Sequence, residues 1–469
     1  MNNFIMYSIA FLSVIAVIVM LIKKMDLKIT LFAMGVVLMY IAVFMGNTIG
    51  GDNFKSSGLT VLDPLLIVIN EFKASFNSAG FIIMILGGYT SYMSAINANE
   101  VTVNTLTKPI KKIKSVYILV PAVFLIGNLL SLVIPSASNL AIILLATLYP
   151  VLRQVGMTPL TTAAVIATTA TVMPTPLGGD NVAIASELAK YAAFSGLTVS
   201  DYVLKYHAAV SVPTLIVMAV VHFFWQKYMD KRTRKLNKDE IVVDAVKEIK
   251  GGIFFRIIYT LLPIFPILLL IAIYLLDAFR DVTVNISVEL AVVVSFVVAI
   301  ICEAIHKKSI VSALSKTDFF FKGMGTSMAT VALLVAATVY VSGLKSIGLI
   351  SSLQTTMFEI QGSGFILPLI LVCLTLLIVL LSGSGTALFY ALVPLMMPLA
   401  MAANINALAI TIPMALAGNI IRAVSPVAAV IMIVAGTVKI SPLDLVKRTS
   451  VPMITGILFM FVLSMILFL

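Results

Sequence analysis

The chain has 469 residues, 61% of them apolar and only 11% charged, with Lys and Arg exceeding Asp and Glu to give a formal net charge of +11. An average soluble domain carries about 25% charge. The deficit, with a mean hydropathy of +1.13, excludes a water-soluble enzyme, a nucleic-acid partner and a disordered scaffold, and leaves an all-α polytopic membrane protein.

A helix of about 20 apolar residues crosses the hydrocarbon. On that measure the first spans lie near 4–22, 29–46 and 80–97. The 4–22 run has no basic residue ahead of it and Lys23-Lys24 behind it. That is the wrong polarity for a cleaved signal peptide, so a retained span is expected. The stretch 115–153 is too long for one crossing and is interrupted at Pro135-Ser136-Ala137-Ser138-Asn139, which fits a re-entrant hairpin. Spans at 160–193 and 207–229 follow, closing a first domain over 1–229. The charged, Pro-free segment 230–252 reads as a cytoplasmic linker. The second domain, 253–469, holds spans at 253–277, 285–305 and 325–343, and a second hairpin over 363–402 interrupted at Ser382-Gly383-Ser384-Gly385-Thr386. Spans at 406–438 and 450–469 complete ten crossings.

Charge distribution supports hairpins over extra crossings. With the 23–28 loop inside, the loops holding Lys108 to Lys114, the Lys227 to Arg256 cluster, Lys307, Lys308, Lys439, Lys447 and Arg448 all fall on the cytoplasmic side. The outer side keeps only Lys55, Lys73, Lys190, Lys205, Arg280 and Lys345. This obeys the positive-inside rule and puts both termini outside the cytoplasm. Arg422 belongs to neither set.

The two halves also echo each other. From Pro121 to the Ser138 tip is 17 residues, and from Pro368 to the Ser384 tip is 16. Both halves close on Ser-Val-Pro, at Ser211 to Pro213 and at Ser450 to Pro452. Five crossings per half is an odd number, so the second copy would be inverted, the arrangement of secondary transporters that bind solute near the midplane.

Non-helical backbone at membrane depth survives only inside protein or beside a water-filled cavity. Four such places are expected: the two tips, and one break in each helix that follows. The breaks read Pro174-Thr175-Pro176-Leu177-Gly178-Gly179-Asp180-Asn181 and Gly418-Asn419-Ile-Ile-Arg422-Ala-Val-Ser425-Pro426. Half-helix N-termini there point N–H groups at anions, and Ser136, Ser138, Asn139, Thr175, Asn181, Ser384, Gly385, Thr386, Asn419 and Ser425 add neutral ligands. Arg422 is the sharpest candidate: a cation at mid-membrane costs about 2.5–3.5 kcal/mol on insertion scales, and a guanidinium matches a carboxylate. The blander roles are a permanent pair with Asp180 or a side chain reaching the interface. Asp180, with the backbone of Gly178 and Gly179, is the candidate for coupling to a cation or proton. Na⁺ is the only metal in question, because hard cations take oxygen ligands.

Other chemistry has little support. Cys302 and Cys373 lie in apolar runs without metal-ligand spacing. His207, His222 and His306 fall at span ends and read as interfacial residues. No HExxH, Walker loop or reactive pair occurs, and Leu177-Gly-Gly-Asp180 lacks the first glycine of an intramembrane aspartyl protease motif. A transporter without enzymatic activity or cofactor is expected.

The stretch from Ser138 to Thr169, and Gly418-Asn-Ile-Ile-Arg422-Ala-Val-Ser-Pro-Val-Ala-Ala-Val, resemble the DcuC family of anaerobic C4-dicarboxylate carriers in the ion transporter superfamily. The resemblance implies exchange or uptake of fumarate, succinate, malate or aspartate across the inner membrane. It also implies a homodimer with a scaffold domain and a transport domain that moves as an elevator. Related sodium–dicarboxylate symporters carry Ser-Asn-Thr at each tip. Here Ser138-Asn139-Leu140 and Ser384-Gly385-Thr386 each keep two of the three, which leaves Na⁺ and H⁺ both open as coupling ions. On the same scaffold, carriage of amino acids or monocarboxylates, or Na⁺/H⁺ antiport, is the alternative.

Overall fold

In lipid, every backbone N–H and C=O of an apolar run has to be satisfied within the protein, which makes helices the means of crossing for such runs. A computed structural model of the protein, describing residues 3–23, 25–50, 54–108, 113, 115–172, 174–233, 252–280, 286–349, 352, 364–383 and 386–469, is helical in every regular element among them. Helices α1 (Asn3–Ile22), α2 (Leu27–Phe44), α3 (Asp63–Ser75), α4 (Phe81–Ala95) and α5 (Ala98–Leu106) lead to the first hairpin, α6 (Val116–Ser131) and α7 (Ala137–Thr147). After α8 (Tyr149–Gln154) come two half-helices, α9 (Pro159–Ala167) and α10 (Gly179–Leu188), with non-helical backbone at 168–172 and 174–178. A single turn, α11 (Val199–Asp201), passes through a π-turn at Tyr202–His207 into α12 (Ala208–Thr233). The second half holds α13 (Ile253–Leu261), α14 (Phe265–Arg280), α15 (Val288–Lys307), α16 (Ile310–Ser315) and α17 (Asp318–Ser346). The second hairpin, α18 (Ile366–Ser382) and α19 (Thr386–Ala402), precedes half-helices α20 (Leu408–Ile421) and α21 (Ala429–Val438), and α22 (Pro442–Phe468) ends the chain.

Eight rods among the described residues are long and apolar enough to cross a membrane. Four of them outrun the expected spans. The expected 80–97 is the end of a rod over Asp63–Ala95, 325–343 lies inside Ile310–Ser346, 207–229 belongs to Val199–Arg232, and 450–469 begins within Pro442–Phe468. For the first and third of these the reason is local. π-turns at Phe76–Gly80 and Tyr202–His207 carry the helix through polar stretches that a hydropathy measure assigns to loops. The expected 160–193 span is split into α9 and α10, as its prolines and glycines require. Most of the 230–252 linker, residues 234–251, lies outside the described residues.

Close crossings depend on glycine. A Cβ on Gly323 of α17 would sit 2.5 Å from the Gly87 carbonyl oxygen of α4, and one on Gly35 of α2 would sit 2.6 Å from the Val339 carbonyl of α17. Without an opposing hydrophobic force in lipid, such backbone approach is what binds helices. The return helix of each hairpin packs on the second half-helix of the other half: α7 on α21, and α19 on α10. One latch also occurs twice. Thr175 donates through Oγ1 to the Leu132 carbonyl at 2.9 Å, and Ser425 donates through Oγ to the Leu380 carbonyl at 2.9 Å. Each ties a helix break to the outgoing helix of its own hairpin.

The closing helices α12 and α22 pack along each other and are joined by Arg448 to Asp230 at 2.7 Å, both side chains almost wholly inaccessible at 2% and 3%. Arg448, expected among the charges between spans, is instead a buried residue within α22. Its partner is 218 residues away in sequence, so no local pattern reveals the pair. Asp230 also accepts from Thr158 and Thr161 of the α9 start. Removing one member of a buried pair costs about 3–5 kcal/mol, whereas replacing both with apolar groups can be neutral. Asp230→Leu should lower the melting temperature of detergent-purified protein substantially. Asp230→Leu with Arg448→Met should recover much of that loss.

Candidate functional site

The first helix break is held open by an amide that motif reading overlooked. Asn128 of α6, 1% exposed, donates to the Thr168 carbonyl at 3.2 Å and accepts from the Thr171 and Val172 amides at 3.1 and 3.2 Å. One side chain thus meets three backbone groups freed by the unwinding. Thr175 adds its latch to Leu132 and accepts from the Leu177 amide at 3.2 Å, and Asn181 Nδ2 donates to the Thr175 carbonyl at 2.9 Å. Thr175, Asn181 and Ser425 are all buried, with the two hydroxyls and the Asn181 side-chain nitrogen holding backbone.

The two breaks then exchange side chains. Arg422, at the middle of the Leu408–Val438 rod, donates through Nη2 to the Ala170 carbonyl of the first break at 2.9 Å. Asn419 donates through Nδ2 to Asp180 Oδ2 at 2.9 Å, while Asp180 Oδ1 accepts from the Asn181 amide at 3.0 Å in the first turn of α10. A carboxylate at that position is favoured by the helix dipole. Arg422 and Asp180 make no ion pair with each other within 4.0 Å; the ion pairs among described residues lie elsewhere. Two opposite charges therefore face one space without neutralising each other directly.

That space is a cavity of about 160 Å³ lined by Gly178, Gly179, Asp180, Asn419 and Arg422 from the breaks, by Pro135 from the first tip and by Phe389 and Tyr390 from α19. Gly179 is glycine for a spatial reason: a Cβ there would lie 2.8 Å from the Tyr390 hydroxyl. A larger cavity of about 620 Å³ shares Pro135, Gly179 and Tyr390 with the first and is walled by hydroxyls of α4 and α17, among them Thr90, Ser94, Thr326 and Thr330. Ser136 and Asn139 of the first tip line this vestibule. Ser136 also caps α7, accepting from the Asn139 amide at 3.4 Å, as serine does at helix starts. Ser138 is half-buried in the same turn. Of the second tip, Ser384, Gly385 and the Thr386 side chain lie outside the described residues. The neighbouring Gly383 has φ +74°, and a Cβ on it would lie 2.6 Å from the Val427 carbonyl oxygen, so the tip is seated on the second break. The structure thus brings Asp180, Asn419 and Arg422 together with the first tip, and adds Asn128 and Tyr390.

The family model "C4-dicarboxylate anaerobic carrier", DcuC, matches residues 5–469. The chain belongs to the DcuC family. The "Anaerobic C4-dicarboxylate transporter DcuC" of Escherichia coli (strain K12) is 34% identical to this DcuC-family chain over 437 residues, covering 92% of this chain and 90% of the relative. Two solved structures share the fold of this DcuC-family member. The Alcanivorax borkumensis YdaH transporter has a TM-score of 0.64 at 16% identity, covering 94% of this chain and 98% of its own. MtrF of Neisseria gonorrhoeae, described as illuminating a class of antimetabolite efflux pumps, has a TM-score of 0.58 at 14% identity, covering 94% of each. The protein is a multi-pass membrane protein of a C4-dicarboxylate transporter family.

An orphaned buried backbone donor or acceptor costs about 1–3 kcal/mol. Asn128→Ala would orphan several at once. It should lower thermal stability and abolish transport in reconstituted vesicles, whereas Asn128→Ala at wild-type stability would show that the break is held by other groups.

Proposed function

We propose that this protein is a secondary carrier of C4-dicarboxylates such as fumarate, succinate, malate or aspartate, working by exchange or cation coupling through alternating access. The observation that carries this reading is the unpaired juxtaposition of Arg422 and Asp180 in one cavity between two helix breaks. The Arg422 guanidinium rests on the Ala170 carbonyl. A carboxylate is the stronger acceptor, because charge-assisted bonds to a guanidinium exceed those to a neutral carbonyl. One substrate carboxylate therefore displaces Ala170, and the other meets the neutral donors of the tips, Ser136, Ser138, Asn139, Ser384 and Thr386. Asp180 balances charge and senses the coupling ion, its carboxylate held by Asn419 so that it does not collapse onto Arg422.

The hairpins gate this site, residues 1–229 and 253–469 act as inverted repeats, and 230–252 is their cytoplasmic connector. The twofold recurrence of the hydroxyl latch and the reciprocal packing of α7 on α21 and α19 on α10 support that reading. An elevator movement of the hairpins and half-helices against a scaffold containing α2, α4 and α17, within a homodimer in the inner membrane with both termini outside, completes the proposal.

Uptake of labelled succinate into proteoliposomes, with and without a Na⁺ gradient and with unlabelled succinate preloaded, tests it. Hydrogen bonds to charged groups are worth about 1.5–3 kcal/mol, so Arg422→Ala should cut uptake by about 10- to 100-fold with membrane insertion intact. Wild-type flux in that variant removes the assignment of Arg422. Asp180→Asn should instead preserve succinate binding while altering its dependence on the driving ion.

A further inference from the structure

Pro452, the last residue of the Ser-Val-Pro motif in the second half, lies inside α22. It has no N–H to give the Arg448 carbonyl one turn earlier. Gln226 of α12 supplies the missing donor, its Nε2 meeting that carbonyl at 2.9 Å. Beside it Trp225, the single tryptophan of the chain, donates through Nε1 to the Lys447 carbonyl at 3.2 Å. A proline in one closing helix is thus matched by donors from the other.

From Gln226 a buried row of polar groups runs to the first helix break. Of the histidines expected at the interface, His222 is fully buried and His207 almost so. Thr168, at the C-cap of α9, directs its hydroxyl proton at the Ala164 and Val165 carbonyls, 3.0 and 2.9 Å away. Its oxygen is therefore an acceptor, and His222 Nε2 donates to it at 3.2 Å. His222 Nδ1 then accepts from Gln226 Nε2 at 3.4 Å, so the neutral Nε2–H ring serves both neighbours. Gln226 Oε1 faces Arg448 Nη1 at 3.4 Å and Thr161 Oγ1 at 3.5 Å, which joins the row to the Arg448–Asp230 pair. Thr161, Thr168 and Gln226 are also fully buried.

A second arm starts one residue along α22. Thr449, fully buried, donates through Oγ1 to the Ala423 carbonyl at 2.6 Å. Ala423 lies in the 3-10 turn Arg422–Val424, where the last carbonyls of α20 lose their helical partners. α22 packs on that turn and on α9. The two arms bracket the bond between the breaks. Ala423 adjoins its donor, Arg422, and Thr168 stands two residues before its acceptor, Ala170.

Resting on the dicarboxylate reading above, we propose that Thr449 and His222 are positioning residues for the solute site. From behind, the seam between α12 and α22 fixes the backbone on each side of the Arg422–Ala170 bond and so sets where the guanidinium meets a substrate carboxylate. Neither residue is among those lining the cavity that holds Arg422. A guanidinium recognises a carboxylate through two parallel N–H bonds, so a small shift of its backbone weakens binding and leaves the other steps of transport intact. The Ser-Val-Pro motif of the second half thereby gains a part in the site: Pro452 frees a carbonyl, Gln226 answers it, and His222 carries the constraint to the first break.

Initial rates of succinate uptake into proteoliposomes, measured against succinate concentration, separate positioning from support. Thr449→Val exchanges a hydroxyl for a methyl group and leaves the Ala423 carbonyl without its donor. It should raise KM by about 3- to 10-fold, with the maximal rate per inserted protein and the Trp225 emission close to wild type, the pattern of lost binding alone. His222→Leu should do the same from the first break, and serves if Thr449→Val does not insert. Thr449→Ser keeps the hydroxyl and His222→Gln keeps an N–H in place of Nε2–H, so each should recover most of the affinity. Added to Arg422→Ala, Thr449→Val should lower the residual uptake no further, because residues acting through one group are not additive. An unchanged KM in both Thr449→Val and His222→Leu, a loss of maximal rate alone, or full additivity with Arg422→Ala overturns the positioning role and leaves Arg422 as the ligand. Absence of succinate transport by the wild-type protein fails the dicarboxylate reading, and the positioning role with it.

Discussion

The arrangement depends on one constraint: backbone that leaves the helix inside the membrane must find partners within the protein. In the first break they come from Asn128, which serves the Thr168 carbonyl and two amides, and from Arg422, which reaches the Ala170 carbonyl. The second is a cation on the other half of the chain, donating to a neutral acceptor that a stronger one can replace. On the proposed reading, the bond that completes the fold is also the one that a substrate carboxylate exchanges.

The surrounding architecture keeps those charges near each other without letting them merge. Asp180 is anchored at the start of α10 by the Asn181 amide and by Asn419, and Arg422 projects from the middle of a long rod. Hydroxyl latches bind each break to its own hairpin, and the return helix of each hairpin packs across to the other half. Each hairpin is thereby tied to both halves of the chain. The glycine-lined crossings of α4 and α2 with α17 form a close-packed group that meets the second hairpin through α19 and the first break through α10.

Much of this was legible in order of physical cost. An arginine at mid-span, prolines and glycines inside apolar runs and small polar tips are all expensive in lipid, so Arg422, Asp180, Asn419 and the first tip stood out without coordinates. Asn128 and Tyr390 did not. One asparagine in an apolar run and one tyrosine near a hairpin tip look ordinary, because their contacts depend on groups far along the chain. Arg448 was misread for the same reason: beside Lys447 it resembles a loop charge until Asp230 is seen against it.

Sequence by itself determined the solvent, the helical class, the approximate crossings and the positions of the breaks, since burial of backbone and charge in hydrocarbon is decided by residues close together along the chain. Tertiary structure decided which free carbonyl meets which side chain, that Arg422 and Asp180 share a cavity without pairing, and that His207 and His222 are buried rather than interfacial. Those outcomes rest on contacts between segments hundreds of residues apart, whose distances and angles no local pattern encodes.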